Sequence, residues 1–80
     1  MLLKYNHNGD NRVTEISDAT IDSNYYSIYF KPLDNTLLTI KLQSSDLTAL
    51  NNILTDLFNT GKADISYLGS VELFNCIKEL

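Results

Sequence analysis

Residues 44–61 read SSDLTALNNILTDLFNTG, and this stretch decides the fold. Ser45 suits a helix N-cap, and Asp46 stands where the helix dipole favours a negative charge. Leu47, Leu50, Ile53, Leu54, Leu57 and Phe58 recur at three- and four-residue spacing, which places them on one helical face. Gly61 stands where a left-handed C-terminal cap is wanted. The spacing predicts a helix over about 46–60. Such a helix is not stable alone, so its apolar stripe must lie on another apolar surface. The residues before it supply that surface as strands.

Upstream, residues 25–30 (YYSIYF) carry the aromatic and β-branched residues that favour a strand. Alternation sets Tyr26, Ile28 and Phe30 on the core side and Tyr25, Ser27 and Tyr29 on the other. Residues 31–35 contain Pro32, Asp34 and Asn35 and read as a turn. Residues 36–42 return as a strand, with Leu38, Ile40 and Leu42 toward the helix. At the start, residues 2–6 and 12–16 flank Asn8-Gly9, the two-residue hairpin signal. That turn sets Tyr5 opposite Arg12 and Leu3 opposite Thr14. Residues 17–24 are polar and read as a surface loop, with Ile21 as an anchor; the alternative is that its last part extends a neighbouring strand.

Beyond Gly61 two readings compete. A strand at residues 65–68 followed by a short C-terminal helix from Val71 is preferred. One longer helix would carry Gly69 inside it, at a cost of about 1 kcal/mol. The expectation is therefore α+β: a small antiparallel sheet of three to five strands, the main helix on one face and a short C-terminal helix. The 80 residues suffice for one small domain, 1–80.

Composition limits the function. The formal net charge is −4, and the six Lys and Arg are scattered, which argues against phosphate binding and direct nucleic-acid recognition. Cys76 is the single cysteine, so no internal disulfide forms, in keeping with a reducing compartment. No signal peptide or membrane-spanning stretch is legible, so a cytoplasmic protein without membrane attachment is expected.

No catalytic or cofactor signature is present, neither a phosphate-binding glycine loop nor a nucleophile elbow nor a zinc-binding histidine pair. His7, the only histidine, sits beside the hairpin turn without further ligands near it. Pairing Cys76 with His7 as nucleophile and base requires the fold to join opposite chain ends. A cysteine within an apolar pattern is more simply a buried one. Asp18, Asp22 and Asn24 crowd one segment, and Asp10 and Asp34 lie in turns. No calcium-loop pattern joins them, and turn geometry accounts for aspartate there. No enzyme, metal or cofactor is expected.

Tyr25 and Tyr29 are the residues with binding character. Tyrosines exposed beside polar neighbours match the composition of interface hot spots. An aromatic sheet face also suits RNA, but only in basic surroundings, which are missing. The expectation is a small acidic protein-binding module. Tyr25 and Tyr29 would be its anchors, and Asp18, Asp22 and Asp34 its charge complements, for a protein partner with a basic surface. Size, acidity and lack of catalytic residues suit an inhibitor or adaptor of the phage and mobile-element type. Anti-CRISPR proteins are one such group. The alternative is a self-associating assembly subunit, a homo-oligomer built through the tyrosine face or a sheet edge. A small metal-dependent enzyme using Asp18, Asp22 or His7 comes behind both.

Overall fold

The computed structural model describes residues 1–33 and 38–75. Asn8 and Gly9 both adopt positive φ, 54° and 90°, as a tight two-residue hairpin requires. They join β1 (Leu2–His7) to β2 (Asp10–Asp22), with Tyr5 opposite Arg12 and Leu3 opposite Thr14, the register expected from the turn.

β2 is 13 residues long and absorbs residues 17–22 of the segment expected to be a loop, leaving Ser23 and Asn24 in the turn that follows. Its first half pairs with β1 and its second half with β3 (Ser27–Pro32). Ile16 lies opposite Pro32 and Asp18 opposite Lys31, so Ser17 is an extra residue, a β-bulge. The bulge shifts the alternation, so that Ile16 and Ala19 both reach the core. Asp18 Oδ1 accepts a hydrogen bond from Ala19 N at 2.8 Å, and Ser17 Oγ donates to Lys31 O at 3.4 Å.

The strand expected at 25–30 begins two residues later. Asp22 pairs with Ser27, and residues 23–26 form the turn between β2 and β3. Pro32, expected in a turn, is the buried last residue of β3. β4 (Leu38–Gln43) then returns antiparallel, with Ile40 and Leu42 in the core. Of the turn at 31–35, residues 34 and 35 lie outside the described residues. So do Thr36 and Leu37 of the expected return strand.

Helix α1 (Leu47–Thr60) is capped by Asp46, one residue later than expected. Asp46 Oδ1 accepts from Thr48 N at 3.0 Å and Ala49 N at 3.3 Å. Ser44 Oγ in turn accepts from Asp46 N at 3.1 Å. Gly61, at φ 80°, closes the other end with its N–H on Leu57 O. Leu50, Ile53 and Leu57 are buried, Leu47 and Leu54 partly so, and Phe58 turns outward. The helix lies chiefly against β2 and β5 rather than across β3 and β4.

The region after α1 differs most from expectation. β5 (Lys62–Asp64) pairs in parallel with β1, which makes the sheet mixed. Residues expected as a strand at 65–68 form a short 3-10 turn, Ser66–Leu68. A C-terminal helix from Val71 is not what the described residues form: β6 (Glu72–Asn75) pairs antiparallel with β4, and residues 76–80 lie outside them. Backbone pairing explains the change. Val71 N donates to Asn6 O at 2.8 Å, so the chain is held extended against β1 before it reaches β4.

Among the described residues the sheet thus has six strands in the order β5-β1-β2-β3-β4-β6, against the three to five antiparallel strands expected. It curls, because the segment that leaves the edge of β1 ends on the edge of β4. The concave side and the helix share one core that includes Leu3, Ile16, Phe30, Ile40, Leu50, Leu57 and Val71. A fully buried leucine or isoleucine contributes about 1.5–3 kcal/mol.

Candidate functional site

The β2–β3 turn is built from short polar side chains. Asp22 Oδ1 accepts from Asn24 N at 3.1 Å, an Asx turn, and Asp22 O accepts from Tyr25 N at 3.3 Å. Tyr26 follows at φ 53°, the left-handed region that glycine or asparagine normally occupies. Three donors hold the carbonyls of this corner. Ser27 Oγ and Gln43 Nε2 donate to Tyr25 O at 2.9 and 3.4 Å, and Ser44 N donates to Tyr26 O at 3.0 Å. The surroundings therefore fix a backbone conformation that a bulky residue enters at a cost of about 1–2 kcal/mol.

The result is two neighbouring tyrosines at the protein surface, Tyr25 66% and Tyr26 44% exposed. Together with Asn24, Gln43, Ser44 and Ser45 they line an open cleft of about 860 Å³ between the turn and the start of α1. None of these lining residues carries a charge.

The other expected site residues are placed apart from this cleft or inside its framework. Tyr29 sits mid-strand on the outer side of the sheet, half-buried, in a row that runs Thr20, Tyr29, Lys41, Glu72 across four strands. Lys41 Nζ stands 6.0 Å from its ring centroid and 3.6 Å from Glu72 Oε1. Asp22 belongs to the turn itself. Asp18 lies beside the bulge, opposite Lys31. Asp34 is outside the described residues, as is Cys76, so the Cys76–His7 pairing lies outside them too. His7 ends β1, with Nε2 3.5 Å from Asn8 Nδ2. Among the described residues, no three His, Cys, Asp or Glu side chains come close enough to hold a metal ion, and no helix is long and apolar enough to cross a membrane.

Sequence reasoning assigned Tyr26 to the core, because it started the strand at Tyr25. The polar run Asp22-Ser23-Asn24 is the signal that moves the strand start beyond Tyr26.

One other carboxylate has a shaped environment. Asp64 Oδ1 accepts from Ser66 Oγ at 2.6 Å and Ser66 N at 2.9 Å, and Lys4 Nζ lies 4.0 Å from Oδ2. The Ser66 donors, with Lys4 adding to them, hold its carboxyl below the ordinary carboxylate range. It sits over a second depression, apolar and about 310 Å³, beside Leu2, Val13 and Ala63. The ion pair is exposed and contributes little to stability.

Compared with known protein families, curated proteins and solved structures, the chain matches none.

Proposed function

We propose that this chain is a non-enzymatic protein-binding module whose contact surface is the Tyr25–Tyr26 turn and the cleft beside it. The observation that carries this reading is Tyr26 at φ 53°. Strain of this kind persists only where the surrounding structure over-determines it, and it concentrates at functional positions. Here it stands directly after Tyr25, and both rings are exposed.

Composition supports the same reading. Tyrosine with serine, asparagine and glutamine is the mixture that binding loops of antibodies use. The rings supply rigid contact area at low entropy cost, and the small polar groups adapt their hydrogen bonds. The cleft is open, so it suits the surface of a macromolecule better than a small ligand, which needs most of its area enclosed. The net charge of −4 favours a basic partner and speeds that encounter. The action that fits a small module without catalytic groups is steric occlusion, as an inhibitor or adaptor.

The test is affinity capture from lysate with wild type, Tyr25→Ala and Tyr29→Ala, each first shown to be folded. The expected result is a stoichiometric protein partner that Tyr25→Ala loses and Tyr29→Ala keeps. Undiminished capture by Tyr25→Ala overturns the assignment of the surface. Recovery of the chain's own copies alone replaces the reading with self-association.

A further inference from the structure

A separate opening lies at the far end of β3 and β4 from the tyrosine turn. Residues opposite each other in an antiparallel pair share a face of the sheet. Leu3 and Tyr5 are buried on the concave side, so their partners Thr14 and Arg12 stand on that side as well. Leu73 joins them from β6, opposite Ile40. Where the curled sheet opens, these side chains border a depression of about 130 Å³. Pro32, Ile40 and Leu73 give it apolar walls, and Leu38, 40% exposed, adds an apolar rim.

Polar groups converge on this apolar space. Tyr5 is only 7% exposed, yet among the described residues its hydroxyl has no hydrogen-bond partner. A buried tyrosine normally gives its hydroxyl one. Among the described residues no side-chain oxygen is both sealed from solvent and unpartnered, so the phenol oxygen reaches the depression that its ring lines. Thr14 Oγ1 donates only over a long 3.5 Å to Glu15 O. Arg12 Nη2 lies 3.8 Å from Asp10 Oδ2 in an exposed pair, which leaves further donors of the guanidinium fork for a ligand.

We propose that this depression binds a small apolar carboxylate, its hydrocarbon body between Leu38, Ile40 and Leu73 and its carboxylate held by the Arg12 guanidinium and the Tyr5 hydroxyl. Apolar walls with a few placed polar groups, in the mouth of a curled sheet, are the common plan of a ligand pocket. The space equals that of about four waters, which suits a short branched chain of about four carbons. Guanidinium matches carboxylate in a planar fork, and the phenol adds a donor that has no other partner. The inference goes beyond the protein-contact reading and uses none of its residues.

The experiment is an amide-resolved NMR titration of the full chain at neutral pH and constant ionic strength. The probes are isovalerate, its neutral amide isovaleramide, the cationic isoamylamine, and acetate, which carries the charge without the body. Two variants are compared with wild type, Arg12→Gln and Tyr5→Phe, each first shown to keep the dispersed amide spectrum of a folded chain. Arg12 is exposed and Tyr5→Phe keeps the ring, so both changes spare the core.

The expected result is saturable movement of the Tyr5, Arg12, Thr14 and Leu73 amides with isovalerate, in the millimolar range that a ligand of this size reaches. Isovaleramide should bind about fivefold more weakly, and Tyr5→Phe should weaken isovalerate about threefold. In Arg12→Gln the acid and the amide should bind alike, a change that a merely structural role for Arg12 does not produce. Equal binding of acid and amide to wild type, preference for the amine, or no saturable movement at millimolar probe overturns the proposal. Acetate moving the same amides as strongly as isovalerate means an adventitious ion only and overturns it too. If Arg12→Gln does not fold, the probe series on wild type and Tyr5→Phe still decides.

Discussion

At the scale of single residues, the features that matter are those that depart from a residue's ordinary preference. Tyr26 holds a left-handed backbone without being glycine, and Asp64 holds its charge more tightly than an isolated carboxylate. The second has a direct consequence for pH. A carboxyl whose folded pKa lies below its unfolded value of about 4 contributes stability above that value and loses it as the pH falls through the folded one. Acid unfolding should therefore contain a component from Asp64, present at neutral pH and fading below about pH 4. Asp64→Asn should flatten that part of the stability curve and leave the profile above pH 5 with its wild-type slope. Denaturant melts across pH 2–7 check this, and an unchanged acid limb would show that the Ser66 contacts carry no linkage.

Elements follow from sequence as far as their signals are local. The β1–β2 hairpin was legible down to its register, because Asn8 and Gly9 are the residue types that accept positive φ at both positions. Helix α1 was legible because Leu50, Ile53 and Leu57 repeat at helical spacing, and all three are buried. Of these, Leu57 is 0% exposed, and Leu57→Ala should destabilise the fold by about 3 kcal/mol, read from equilibrium urea unfolding. A cost under about 1 kcal/mol would mean that the helix is not seated as described. The second half of β2 was hidden because the Ser17 bulge breaks the two-residue period; Ile16 and Ala19 look out of phase although both face inward. β6 was hidden for another reason. Phe74, Ile77 and Leu80 recur at the three-residue spacing of a helix, and what selects the strand over Glu72–Asn75 is a distant partner, β4. The tyrosine site was half legible. Tyr25 could be named as exposed from its alternation, but Tyr26 and the cleft exist only once the Asx turn at Asp22 sets where β3 begins.

For the whole molecule, the curled sheet and the helix share one core, and the turn between β2 and β3 projects from that support. Binding loops work best on a rigid scaffold, and the three donors from Ser27, Gln43 and Ser44 tie this turn to β3, β4 and the approach to α1. On the proposed reading, the backbone strain at Tyr26 serves the display of the two rings. Its most direct test is to compare the melting temperatures of Tyr26→Gly and Tyr26→Ala. Both remove the ring, but only glycine removes the left-handed penalty. Tyr26→Gly should melt about 5 °C above Tyr26→Ala, while both lose the partner that wild type captures. Equal melting temperatures, or full partner capture by either variant, would contradict it.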